Sequence, residues 1–278
     1  MLSEWFFPEK YKRMKKLLAV LKISFKNIFE YRENFLLGQL RQLILFLTLF
    51  YVWKSVFYQG GSLFGFNFTE IITYVFLVQI IRVFALDSRT DNIADEIAGN
   101  GKFFSYLLRP IGYLRYWLSV DLAYKIINIL FSVFWLGLFI KLFGINLFFQ
   151  TDILYLSLFS LSLVLSTLIY FFISSTLSFW AFWTTQVWGA RFSLSLLIEF
   201  TSGAFFPLSI LPLFFQNFLN LTPFPYLVYF PATVYLGKLT MSNILNGLLI
   251  QFVWLFVFYI INRAIWQKGL KAYNAFGG

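Results

Sequence analysis

Long apolar segments alternate with short polar ones along this chain. A helix of about 20 apolar residues crosses a hydrocarbon core of about 30 Å, so each such segment predicts a transmembrane span. Five segments are long and nearly free of charge: 36–57, 67–86, 116–143, 153–179 and 244–261. The chain is 60% hydrophobic, against roughly 45–50% in soluble domains. The pattern therefore predicts an all-α integral membrane protein.

A further apolar segment begins at Phe192 and is interrupted after about 12 residues by Thr201-Ser202-Gly203. Five of the seven prolines follow between Pro207 and Pro231, Pro212 among them, which excludes a continuous helix. Irregular backbone at membrane depth has to be covered by protein or line a cavity. We predict a half-span with a break at Gly203–Pro207, followed by short re-entrant helices that form an outer cap at 203–231. The transmembrane domain, 36–264, then has six spans.

The first 35 residues carry lysines on one helical face and apolar side chains on the other. At 100° per residue, seven apolar residues share an arc of about 120°, opposite four lysines. They are Met14, Leu17, Leu18, Leu21, Phe25, Ile28 and Phe29. We predict an amphipathic helix in the membrane interface within a cytoplasmic segment, 1–35.

The positive charge is distributed unevenly. With the N-terminus inside the cell, 19 of the 22 lysines and arginines fall on the inner side, which predicts six spans with both termini cytoplasmic and a tail at 265–278. The net charge of +10 is then explained by membrane lipid, without nucleic acid. The chain contains no cysteine and no histidine, which excludes thiol nucleophiles and histidine bases. No phosphate-cradling Gly-x-x-x-x-Gly-Lys-Ser/Thr loop occurs, so we expect no catalytic, metal or cofactor site on this chain.

A polar segment at 87–115 separates the second and third spans. Asp91 can cap a short helix that ends at Gly99, with Ile93 and Ile97 on one face. A second short helix, 102–108, is expected to stop before Arg109-Pro110. Two interpretations stay open, because the segment can be a cytoplasmic docking surface or a solvated loop that reverses the chain.

Three charged residues are expected at membrane depth, where charge is costly. Asp121 and Lys125 are four apart on the third span and can pair, and Glu199 lies eight residues beyond Arg191. One interpretation is a salt-bridge cluster that joins spans three and five, and the other is a polar spot in a translocation path. Arg82, near the inner surface, is expected to extend its side chain toward water.

Two blocks of residues resemble the ABC-2 type transporter permeases, a family described as ABC-2 family transporter proteins. The first block combines Asp91-x-Ile93-Ala94-x-Glu96-Ile97 with Leu107-Leu108-Arg109-Pro110 and Tyr113-Leu114. The second contains Phe182-Trp183, Trp188-Gly189, Ser202-Gly203-x-x-x-Pro207-Leu208, Leu211-Pro212 and Tyr235-Leu236-Gly237-Lys238. The resemblance covers essentially the whole chain.

The resemblance implies a type V exporter fold in a bacterial cytoplasmic membrane. Two permeases pair, as a homodimer or with a sister permease, and each docks a cytoplasmic ABC ATPase subunit that holds ATP and Mg. The segment 14–33 would be the connecting helix and Asp91–Gly99 the coupling helix. The coupling residues would be Asp91, Ile93, Asp95, Glu96, Ile97 and Gly99. The implied cargo is a hydrophobic or amphipathic compound, cationic drug-like molecules included.

Two other functions stay open on the sequence. An ion-driven secondary transporter or channel could use Glu199 and Asp121, although no internal repeat of the kind found in many such carriers is visible. A membrane scaffold without transport is the third possibility.

Overall fold

The computed structural model describes residues 19–20, 22–27, 30, 32–58, 60–99, 103 and 112–273. Nine α-helices have both ends among these described residues. They are α1 (Arg32–Val56), α2 (Phe68–Ala85), α3 (Asp91–Ala98), α4 (Tyr113–Phe143), α5 (Ile153–Ser178), α6 (Trp188–Thr201), α7 (Leu213–Asn220), α8 (Tyr229–Tyr235) and α9 (Met241–Ala272). Single 3₁₀ turns at Phe179–Phe182, Leu208–Ile210 and Phe224–Tyr226 connect them.

Five of these helices are long and apolar enough to cross a membrane: α1, α2, α4, α5 and α9. Four of them, α1, α2, α4 and α5, begin and end close to the limits that the apolar pattern predicts. The helix α6 has 14 residues, fewer than the roughly 17 that a full crossing needs. The all-helical membrane class is therefore confirmed, with five candidate spans among the described residues, and a sixth crossing built on α6 remains a prediction.

Much of the N-terminal amphipathic helix and the second short helix at 102–108 lie outside the described residues. Within the first of these, 19–20, 22–27 and 30 are helical. Lys22 and Lys26 are exposed, and Val20, which is not one of the seven residues of the predicted apolar face, is buried. The amphipathic interface helix remains a prediction.

The helix α2 occupies the centre of the fold. It packs against α1, α4, α5 and α8, and 12 of its 18 residues are buried. Its start is fixed by a capping box, in which Asn67 accepts from the Glu70 N–H and Glu70 accepts from the Asn67 N–H, both at 2.8 Å. Lys238 pairs with the same Glu70 carboxylate at 2.6 Å, so the segment after α8 is tied to this helix end.

The helix α9 continues to Ala272, 11 residues beyond the predicted end at Ile261. The polar side chain of Asn262, just beyond that predicted end, joins α9 to α5. Asn262 donates to Ser175 at 2.8 Å and to Thr176 at 2.9 Å, and such interhelical hydrogen bonds stabilise packing where water is excluded. Below them, Gly269 lies so close to Phe182 that an added Cβ would be 2.1 Å from the ring.

The predicted break in the fifth apolar segment is present. The helix α6 ends at Thr201, and Gly203 follows with φ of +87°. The Tyr74 hydroxyl donates to the Gly203 carbonyl at 2.6 Å, and the Tyr229 N–H donates to the Ser202 carbonyl at 2.9 Å. Pro207 and Pro212 each stand immediately before a helical turn, as their missing N–H group favours. The position of this segment on the outer side of a membrane remains a prediction.

Gly203 offers a direct test of the break. A left-handed backbone costs an L-residue about 1–2 kcal/mol, and a Cβ here would also lie 2.8 Å from both Tyr229 Cβ and the Tyr74 hydroxyl. We expect Gly203→Ala to lower the thermal unfolding temperature clearly more than Gly61→Ala does. Gly61 has φ of +89° with no atom within 4 Å of an added Cβ, so it isolates the backbone strain. Equal shifts of the two variants in detergent would mean that the break is not tightly packed.

Candidate functional site

The helix α3 lies against the membrane-spanning helices with its apolar face inward. Ile93 and Ile97 are buried in a cluster that also holds Val20, Trp117 and Phe182. The prediction that Ile93 and Ile97 form part of a docking surface is therefore wrong. Their four-residue spacing does place them on one face, but that face attaches α3 to its own chain, because burying two isoleucines stabilises this contact by several kcal/mol.

The opposite face of α3 is polar and open. Asn92 and Asp95 are exposed, and Gly99 is partly exposed just beyond the helix. Gly99 is needed for close backbone approach, since an added Cβ would lie 2.6 Å from the Asp95 carbonyl. Glu96 lies to one side, where it accepts a hydrogen bond from the Tyr113 hydroxyl at 3.0 Å. This outward face is the part of α3 that another protein can reach.

A buried polar network holds the turn that leads into α3. Asp121 accepts from the Arg89 N–H at 2.8 Å and pairs with Lys125 at 2.9 Å. Lys125 also donates to the Asp87 carbonyl, and Asn128 donates to the Asp87 carboxylate at 2.8 Å. The side chains of Asp121 and Lys125 are 1% and 4% exposed. The two intramembrane charges therefore attach α4 to the start of the α3 segment.

This network reaches the first span as well. Gln39 on α1 donates to Asn128 at 2.9 Å, and the Arg89 guanidinium lies 4.1 Å from the Tyr124 ring centroid, within cation–π range. The turn before α3 is thus fixed to two spans through hydrogen bonds rather than through apolar packing.

Glu199 does not join the Asp121–Lys125 pair, which corrects the predicted cluster of spans three and five. Its carboxylate pairs with Arg82 of α2, so the charges connect spans two and five. Arg82 does not extend toward water as predicted, because a carboxylate of opposite charge is within reach inside the protein. Its guanidinium also lies 5.7 Å from the Phe205 ring centroid, next to the break at Gly203.

A second set of polar contacts ties α3 to α5 and α6. Arg191 of α6 forms an ion pair with the Asp91 carboxylate and donates to the Asp91 carbonyl at 2.6 Å. Thr90, immediately before α3, donates to Ser174 of α5 at 2.6 Å. The N-terminal end of α3 is therefore bonded to the helix that precedes the break.

A cavity of about 850 Å³ opens between α1, α3, α5 and α6. Its charged lining residues are Arg41, Asp91, Asp95 and Arg191, and its aromatic ones are Tyr170, Trp188 and Phe192. Volumes of roughly 300–1,000 Å³ are typical of sites for small molecules. The cavity lies directly beside the contact between α3 and α6.

Several residues of this site escaped the sequence analysis. Asn92, Ser174, Asp87 and Asn128 carry no pattern of their own, and their roles come from contacts between residues far apart in the chain. The sequence pattern uses Arg191 only as a reference point for the depth of Glu199. Its position next to Trp188-Gly189 at the start of a helix, together with the three acidic residues and no basic residue in 91–98, is the signal that could have identified it.

The family comparison agrees with this architecture. The model of a family described as ABC-2 family transporter protein matches residues 43–277. The chain belongs to the ABC-2 family. An ABC-2 permease is the membrane component of an ABC transporter and is not itself catalytic. No curated protein matches the chain.

In this ABC-2 permease, α3 lies at the position that the resemblance assigns to the coupling helix. Three kinds of contact hold α3: apolar contacts of Ile93 and Ile97, a polar network to α4, and an ion pair to α6.

The Arg191–Asp91 contact predicts a local change in stability. Arg191→Gln removes an ion pair and a charge-assisted hydrogen bond, together worth about 1 kcal/mol at a partly exposed site. Amide hydrogen exchange of the α3 peptide should then rise about fivefold. Arg263→Gln is the matched control, because Arg263 is exposed on α9 and has no ion pair among the described residues. Unchanged exchange in Arg191→Gln would show that the ion pair does not hold α3.

The Asp121–Lys125 pair predicts a characteristic pattern of stabilities. Lys125→Met leaves a buried carboxylate without its partner, which typically costs about 3–5 kcal/mol. The double variant Asp121→Asn with Lys125→Met should unfold at a higher temperature than Lys125→Met alone. Lys141→Met, on the exposed end of the same helix, should have little effect. If all variants unfold alike but lose transport, the pair belongs to a translocation path instead.

Proposed function

We propose that this ABC-2 permease is the membrane subunit of an exporter, driven by an ABC ATPase on a separate chain that binds ATP and Mg. The cargo is a hydrophobic or amphipathic compound moved outward across a bacterial cytoplasmic membrane. The proposal rests on the way in which α3 is held. The outward polar face of α3 is open, and polar contacts connect α3 and the turn before it to α4, α5 and α6.

The contacts support a mechanical route from the docking face to the spans. A force applied to Asn92 and Asp95 acts on a helix whose start is bonded to Arg191 of α6. The other end of α6 reaches the break at Gly203, where the backbone changes direction. Movement of α3 would therefore displace α6 about that break, and the cavity between them would change shape.

The rival function, an ion-driven carrier or channel that uses Glu199 and Asp121, is less well supported. Both carboxylates already have basic partners in the chain, Arg82 and Lys125. A proton- or cation-binding carboxylate usually needs a free or exchangeable position. The third possibility, a membrane scaffold without transport, gives no function to the cavity of about 850 Å³ beside α3.

A second permease copy, or a sister permease, completes the proposed complex. Only Ile198 of the 14 residues of α6 is buried, so this helix has little apolar packing inside its own chain. We place both termini in the cytoplasm on the distribution of lysine and arginine, which puts α3 on the side where ATP is available.

Asn92 provides the test of docking. It is exposed on α3, and its side chain makes no hydrogen bond with the described part of the chain. A long charged side chain at the centre of a packed interface should weaken binding of the ATPase about tenfold or more. We therefore expect Asn92→Arg to reduce both co-purification of the partner ABC ATPase and ATP-driven transport in vesicles.

Asn243→Arg is the matched control, since Asn243 is exposed near the start of α9, at the other end of the bundle. It should leave binding of the ATPase unchanged. Transport that proceeds in proteoliposomes without any nucleotide-hydrolysing subunit would overturn the proposal, as would normal docking in Asn92→Arg.

A further inference from the structure

The cavity beside α3 contains charges that the ion pairs within the described part of the chain do not use. Asp91 and Arg191 neutralise each other, which leaves Arg41 on one wall and Asp95 on another. Neither side chain has an ion pair in the part of the chain that the structure describes. Among the described residues, the cavity thus presents one cation and one anion without an ion pair.

Arg41 is the more informative of the two. It lies six residues after Phe35, where the first span begins, which is about 9 Å along the helix axis. An arginine at such a depth normally pairs with an acidic group or faces a water-filled path. Because Arg41 lines the cavity without a carboxylate partner among the described residues, an anionic group of a ligand would supply the missing counter-charge.

Other residues of the cavity lining suit a cation. Asp95 is exposed on α3, at the edge between its outward face and the cavity. Trp188, Phe192 and Tyr170 line the space, and aromatic faces attract alkylammonium groups. The remaining wall includes Ile173, Leu177 and Ile198, which can contact an apolar chain.

We propose that this cavity binds a zwitterionic amphiphile, with the anionic group at Arg41, the cationic group against Asp95 and the aromatic side chains, and the apolar part along α5 and α6. Binding to the permease alone does not depend on the ATPase. The further statement that the bound molecule is the exported cargo rests on the proposed function. It narrows the cargo from hydrophobic or amphipathic compounds to amphiphiles that carry both charges.

The test compares three single-chain probes with the same tail. Dodecylphosphocholine, dodecyltrimethylammonium and dodecyl phosphate are radiolabelled and bound, below their critical micelle concentrations, to the full chain in phosphatidylglycerol nanodiscs without ATPase. Empty nanodiscs are subtracted. We expect the zwitterion to bind the wild-type chain about tenfold more tightly than either singly charged probe, since one charge-assisted contact is missing from each of these.

The variants should change charge selectivity in opposite directions. Arg41→Gln should weaken dodecylphosphocholine and dodecyl phosphate about tenfold and leave dodecyltrimethylammonium unchanged. Asp95→Asn should weaken dodecylphosphocholine and dodecyltrimethylammonium and leave dodecyl phosphate unchanged. Lys54→Gln and Glu33→Gln remove exposed charges elsewhere on α1 and should have no effect. Equal binding of the three probes to the wild-type chain, or weaker binding of all three probes in both variants, overturns the proposal.

A thiol protection measurement locates the bound probe. The chain has no cysteine, so Ser195→Cys places a single thiol on the cavity wall. Dodecylphosphocholine should slow its maleimide labelling at least fivefold, and labelling of Ser157→Cys, exposed near the start of α5, should stay the same. Absence of protection at position 195 would show that the probe binds elsewhere. In phosphatidylcholine nanodiscs, suppressed probe binding would identify bilayer phospholipid as the occupant, and unchanged binding a free single-chain compound.

Discussion

The architecture depends on the need to satisfy buried charge inside an apolar bundle. Asp121 and Lys125 are almost fully buried on α4, and ions in such a place are stable only when their partners are fixed. Here the partners include backbone groups of Asp87 and Arg89. The demand for hydrogen bonds therefore fixes the turn that leads into α3, and a polar network in the core determines where α3 is held.

The apolar core and the polar contacts have different effects on α3. Ile93 and Ile97 bury one face, which holds the helix close without fixing its direction, since apolar contacts are not directional. The hydrogen bonds and ion pairs at its start are directional. Together they give α3 one orientation, with Asn92 and Asp95 outward, and this orientation is what makes docking of another protein on α3 reasonable.

The sequence predicts the spans well and the contacts between them less well. Apolar length located α1, α2, α4 and α5 to within a few residues, and the glycine and prolines near Gly203 located the break. The i, i+4 spacing of Asp121 and Lys125 was enough to predict their pair. The partner of Glu199 could not be predicted, because Arg82 lies 117 positions away and helix depth alone does not give rotation. The contacts of Ile93 could not be predicted for the same reason, because an apolar stripe shows that a helix face is buried but does not show what covers it.

These contacts together show that α6 is held mainly by polar contacts and little by apolar packing. It is short, only Ile198 is buried, and its charged side chains hold it at both ends: Arg191 to Asp91 of α3, and Glu199 to Arg82 of α2. Its C-terminal end meets Gly203, where the Tyr74 hydroxyl holds the carbonyl. Because directional contacts can exchange partners at small cost while a packed core resists displacement, α6 is the element that can move when α3 moves. The large cavity lies against this same helix, so a shift of α6 would reshape the cavity while α2 and the core around it stay in place.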